Sequence, residues 1–163
     1  EEAEAVRDEA MRHAHVVREV GRKKTKRNAP DPYDTAALQA DASRKLRLSA
    51  QQTADLAQAL FEAGYITYHR TDSTRVSPEG MAMAQAYLTQ HFPQLAGSGR
   101  RGKGGAQDAH ECIRPTHLEN DNAPPPGAQA LYALIKARFL ASQCPPAEYE
   151  KTVVTIAAGS QEW

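Results

Sequence analysis

A phenol, a guanidinium and a carboxylate stand at alternate positions in one short stretch of the chain. They are Tyr68, Arg70 and Asp72, within Gly64-Tyr65-Ile66-Thr67-Tyr68-His69-Arg70-Thr71-Asp72-Ser73-Thr74-Arg75. In a strand, alternate residues share a face, so Tyr68 and Arg70 would point the same way. That pairing suits phosphoryl chemistry, with tyrosine as nucleophile and arginine gripping two phosphate oxygens at once. A phenol ordinarily titrates at about pH 10. Attack therefore needs cationic or hydrogen-bonding help at its oxygen, and Arg70 can also neutralise charge developing on the phosphate. The stretch opens as a short β-rich run but is too polar from Thr67 onward for a core strand, which alternates or is apolar throughout. Tyr65 and His69 fall on the opposite face from Tyr68. Tyr65 reads as packing, His69 as a surface or substrate-facing residue. Asp72 is placed to orient Arg70 or a second histidine, His110.

His110 opens a second polar block, His110-Glu111-Cys112-Ile113-Arg114-Pro115-Thr116, preceded by Asp108-Ala109. His110 and Arg114 face one way only if the segment is a helical turn, whereas Pro115 biases Arg114 toward extended geometry. Taken alone, the block also fits a capped loop with one solvent-exposed salt bridge. Cys112 has no activating pattern around it and reads as a small apolar filler.

The elements that must position these residues are mainly helical. Residues 1–13 suit a helix with a thin apolar stripe, followed by a short strand at 15–20. The basic run Arg22-Lys23-Lys24-Thr25-Lys26-Arg27 then reads as a solvated linker, and Asn28-Ala29-Pro30-Asp31-Pro32 breaks the chain. Helical spacing predicts helices at 35–46 and from Ser49, where Ser49 and Gln52 form a capping box; Gly64 is placed as the left-handed stop. Ser77-Pro78-Glu79 marks another helix start, running to about His91. Residues 96–108 form a Gly-, Ser- and Arg-rich loop, 119–127 another. A last helix runs from about Gly127 to Ser142, and 152–157 is a strand. Helix, turn, helix, then strand outlines a helix-turn-helix or winged-helix domain.

With 163 residues the chain can build one ordinary core. Its formal net charge of zero excludes a uniformly basic surface, so modest DNA affinity is expected. Two cysteines, neither in a Cys-x-x-Cys pattern, fit a reducing compartment and make a zinc site or disulfide framework a poor fit. No apolar run approaches the length of a membrane span, and a cytoplasmic protein is expected.

Ile66-Thr67-Tyr68-His69-Arg70-Thr71-Asp72-Ser73-Thr74 resembles the active-site tyrosine motif of type IA DNA topoisomerases, and Asp108–Thr116 resembles that family's downstream His-Glu…Arg-Pro block. Their order and separation match as well. Pro30–Gln39 resembles the start of the family's tyrosine domain, departing at Asp34 and Ala36, where the family more often has hydroxyl residues. His69, and Thr74-Arg75-Val76-Ser77, look more like reverse gyrases than like many bacterial relaxing enzymes. The resemblance covers nearly the whole chain, specifically over the two motifs and loosely elsewhere.

This resemblance implies an α+β protein, mainly α with small β. Residues 31–148 would be the catalytic-tyrosine domain, reached through 1–30 and left through 149–163, with two strands belonging to a neighbouring β-rich domain. It implies an isomerase that cleaves and reseals single-stranded DNA through a transient 5′-phosphotyrosyl link, changing DNA topology. Tyr68, Arg70 and His110 would be catalytic, Asp72, Glu111 and Arg114 supporting. Arg75, with Arg100, Arg101 and Lys103 of the basic loop, would bind DNA. The family's Mg²⁺ and its acid–base glutamate belong to a separate Toprim domain whose acid cluster this chain lacks. The chain is therefore expected to hold no metal, to need the Toprim and gate domains as partners, and not to relax DNA alone. The alternative is a non-catalytic helix-turn-helix DNA-binding module, which gives Tyr68 no role.

Overall fold

The computed structural model describes residues 2–97, 110–119, 123–159 and 161–162. The chain forms two compact units, one from both ends, Glu1–Arg27 with Pro146–Trp163, and one from Asn28–Pro145. Among the described residues the architecture is five α-helices and one small sheet, mainly α with a minor β part.

The first unit holds α1 (Glu2–Arg12) and a sheet of β1 (Val16–Arg27), β2 (Ala147–Ala158) and β3 (Gln161–Glu162), in that order. β1 and β2 run antiparallel from Val16 opposite Ala157 to Arg27 opposite Ala147. Both strands outrun their expected limits, and they pair with one another. The basic run, expected as a linker, is the second half of β1. Its register explains why: Lys24 lies opposite Glu150 and Lys26 opposite Glu148, the latter an ion pair of 2.9 Å. Opposite charges facing across a ladder favour pairing.

The second unit holds α2 (Thr35–Leu46), α3 (Ala50–Glu62), α4 (Pro78–His91), a 3₁₀ turn at Pro93–Leu95, and α5 (Gln129–Ser142). Asp34 caps α2 by accepting the Ala37 N–H at 2.7 Å, so the aspartate does here what a hydroxyl residue would do. The Ser49–Gln52 capping box is formed in both directions. α3 ends at Gly64, whose φ of 76° only glycine adopts cheaply. The Gly64 N–H donates to Phe61 and the Tyr65 N–H to Leu60, closing a Schellman motif. Ser77 caps α4 with Pro78 in its first turn.

α2, α3 and α5 enclose one apolar cluster, which includes Leu38, Leu60, Leu131 and Ile135; Val76, Ala84, Leu118 and Phe139 form a second. Each polar motif is anchored in both. The first contributes Ile66 to one cluster and the adjoining Val76 to the other; the second contributes Ile113 and Cys112. A fully buried aliphatic side chain stabilises by about 1.5–3 kcal/mol, enough for four such anchors to hold two polar segments in place. No helix among the described residues is long and apolar enough to cross a membrane.

Candidate active site

The two motifs are stitched side by side. Ile66 bridges Pro115, and Tyr33 bridges Ile113. The Thr67 N–H donates to the Arg114 carbonyl (2.9 Å), and its hydroxyl donates to the Cys112 carbonyl (2.7 Å) while accepting the Arg114 N–H (3.0 Å). The Cys112 N–H reaches the Arg75 carbonyl at 2.8 Å. Thr35, at the first position of α2, accepts the Thr71 N–H (2.9 Å) and donates to the His69 carbonyl (2.8 Å). Further hydroxyls of the first motif satisfy the backbone. Ser73 accepts the Arg75 N–H, and Thr71 accepts that of Ser73.

The expected strand around Tyr68 is absent, since only an isolated bridge forms at Ile66. Alternation survives nonetheless. His69, Thr71 and Ser73 are buried; Arg70 and Asp72 are exposed, and Tyr68 is half-buried. Tyr68 sits in a ring cluster. Its centroid is 4.9 Å from that of His110, 5.4 Å from Phe61 in an edge-on contact, and 5.6 Å from His69. Phe61 was legible only as part of the apolar face of α3. Arg70, Asp72 and His110 line one cleft of about 410 Å³, together with Asp34, Thr35 and Thr71. Three of the expected site residues thus share a cleft, and Tyr68 packs against the His110 that lines it.

Glu111 and Arg114 stand elsewhere. Arg114 is 9% exposed and each nitrogen of its guanidinium is bonded: Nε and one terminal nitrogen fork onto the Glu111 carboxylate (2.9 and 2.8 Å), and the other terminal nitrogen donates to the Pro115 carbonyl (2.9 Å). Ser77 adds a contact at 3.3 Å, and Arg114 lies 6.0 Å from the centre of the Phe139 ring. Gly80 leaves just enough room, since a Cβ there would stand 2.6 Å from the Arg114 Nε. The salt bridge is therefore largely buried, not solvent-exposed, and Arg114 is locked in place. His110 and Arg114 do not share a face, because the segment is extended: successive residues Cys112 and Ile113 enter different clusters. Burial pushes the Glu111 carboxyl up, but the Arg114 guanidinium and Ser77 outweigh it and leave the group below its ordinary value. Burial also pushes the Cys112 thiol up to about 12, so it is no nucleophile.

His69 corrects another expectation. It is 4% exposed, not on the surface, because the inward side of the alternation faces α3 and the packed interior. Burial, then the charge of Arg70, lowers its pKa. Tyr65 packs as expected, edge-on against Tyr132 with its hydroxyl on the Ala123 carbonyl. Arg75 is half-buried beneath the second motif. Arg100, Arg101 and Lys103 lie outside the described residues. Among the described residues no three His, Cys, Asp or Glu side chains are grouped to hold a metal.

A family model described as DNA topoisomerase matches residues 1–163. DNA topoisomerase 1 of Haemophilus influenzae is 40% identical over 157 residues, 89% of this chain and 18% of its own length. Reverse gyrase 2 of Aquifex aeolicus is 43% identical over 147 residues, 81% of this chain and 12% of its own. Relatives of both names therefore stand at similar identity. The structure of full-length topoisomerase I from Thermotoga maritima superposes with a TM-score of 0.75 at 34% identity, covering 94% of this chain and 27% of that one. The chain spans less than a fifth of the curated relatives it matches. On the two stitched motifs, the shared fold and the full-length family match, this chain belongs to the type IA DNA topoisomerases.

Proposed function

We propose that Asn28–Pro145 is the catalytic-tyrosine domain of a DNA topoisomerase, and that Tyr68 forms a transient 5′-phosphotyrosyl link with a single strand of DNA in the cytoplasm. The β1–β2 ribbon would connect it to the neighbouring β-rich gate domain. The observation that carries this reading is the Tyr68–His110 ring pair at 4.9 Å beside a cleft lined by His110, Arg70 and Asp72. Tyr68 Oη attacks the phosphorus, the P–O3′ bond breaks, and the 3′ oxygen leaves. The phenol loses a proton and the 3′ oxygen gains one, a transfer the resemblance assigns to the glutamate of the Toprim domain. Arg70 offsets charge on the phosphate oxygens, and His110 hydrogen-bonds the same group. Asp72 orients them. Glu111 and Arg114 brace the segment that carries His110. Arg75 and the basic loop residues Arg100, Arg101 and Lys103 supply backbone contacts. Resealing reverses these steps, because the ester keeps the energy of the broken bond. Mg²⁺ would be held by the Toprim partner.

Trapping tests this directly. A labelled single-stranded oligonucleotide is mixed with the chain, a Toprim-containing remainder of a type IA enzyme and Mg²⁺, then denatured and sized. A covalent adduct is expected, and Tyr68→Phe should abolish it. If the adduct persists in Tyr68→Phe, the nucleophile assignment is wrong. If none forms although the remainder binds the chain, a helix-turn-helix binding module becomes the better account.

A further inference from the structure

Between α2 and α3 lies a cavity of about 320 Å³, separate from the cleft but sharing Thr35 and Arg70 with it. Leu38 and Ala57 supply apolar lining, and Gln39 and Gln51 supply amides. His69 also lines it, and neither of its buried ring nitrogens has a hydrogen-bond partner among the described residues. Leaving a buried polar atom unsatisfied costs about 1–3 kcal/mol, and folded proteins keep few such groups.

We propose that this cavity is a pocket for one nucleobase, turned out of the bound single strand and read by His69, Gln39 and Gln51. The proposal rests on the reading of the cleft as a DNA site. A nucleotide whose phosphate is held by Arg70 has its base only one sugar away, and Arg70 borders both spaces. A neutral imidazole offers one donor and one acceptor, and each glutamine amide offers both, Gln51 with one N–H already given to Asp55 at 2.7 Å. That set matches the edge of a base, where hydrogen-bonding groups of both kinds lie side by side. The apolar lining suits its flat faces. A free anion would gain from Arg70 but nothing from the leucine and alanine. The volume is at the low end for ligand sites, so one base is expected, not a stack.

The test is nitrogen-detected NMR of the histidine rings and arginine Nε groups in this chain. It is titrated with a short mixed-sequence single-stranded DNA and, separately, with the same strand made entirely of abasic residues. Both strands should shift Arg70, and only the base-bearing strand should shift the His69 ring nitrogens. The double variant Gln39→Leu with Gln51→Leu should weaken the base-bearing strand about tenfold, or about 1.4 kcal/mol, and leave the abasic strand's affinity unchanged. If the base-bearing strand moves Arg70 but not His69, the pocket assignment fails while the cleft reading stands. An equal His69 response to the abasic strand also overturns it. Neither strand moving either residue overturns both readings.

Discussion

Arg70 and Arg114 are the same residue type in two adjoining motifs, and the fold treats them oppositely. Arg114 is spent: two bonds to Glu111, one to Pro115, another to Ser77. Arg70 is exposed in a cleft. The same division runs through the two histidines that flank Tyr68, His110 outside and His69 within. Residues that do chemistry need access to a substrate, and those that hold them in place need saturated partners. Two short polar segments supply both kinds by alternation.

The comparison breaks most sharply at Tyr68, where Tyr68→Phe should remove all adduct while leaving the thermal midpoint unchanged. Arg114→Ala should act the other way. It leaves the part-buried Glu111 carboxylate without its partner, which costs about 1–3 kcal/mol, read as a lower urea midpoint with activity lost only as the fold is lost. Arg70→Ala should cut the rate of adduct formation about 10²–10³-fold, with stability changed by no more than about 0.5 kcal/mol. If Arg70→Ala destabilises as strongly as Arg114→Ala, the division is false. Gly80→Ala sharpens it, because the new methyl meets the Arg114 side chain. An overpacking cost of about 1–3 kcal/mol is expected, and calorimetry of the single variant reads it.

The smallest effect is that of acid. The folded Glu111 carboxyl titrates below its ordinary value of 4.5, so its contribution is present above that pH and lost as pH falls through the folded value. Asp41, held at about 2 by the Tyr33 hydroxyl and then Lys45, has the same sign over the window from 3.8 downward. Urea midpoints taken from pH 6 to pH 3 should fall, and Glu111→Gln should flatten the upper part of that fall only.

Local chemistry was legible before any fold was known. Ser49 with Gln52, Ser77 before Pro78, and Gly64 each act within one turn of their own residue, and each does what its type predicts. The alternation of Tyr68, Arg70 and Asp72 was legible too, since parity needs only an extended backbone. Parity says which residues share a face, but not which face is inside. That depends on where α3 packs, and so the burial of His69 was missed. The locked state of Arg114 requires Ser77, distant in sequence, and the full extent of β1 requires β2 at the other end of the chain. Thr35 had a weak signal, its place in the proline-bounded block Pro30–Gln39, but its tie to His69 and Thr71 is non-local.

The ribbon bears on the order of folding. Arg27 and Ala147 are register partners, yet everything from Asn28 to Pro146 lies between them along the chain. Joining them in an unfolded chain means closing that whole loop, at an entropic cost that rises with the logarithm of its length. Folding of Asn28–Pro145, whose helices have local starts and stops, shortens the effective loop before any rung is made. The ribbon is therefore expected to zip last, from Arg27 and Ala147 toward Val16 and Ala157, and a defect in the interior would appear kinetically as a strand pair that forms late.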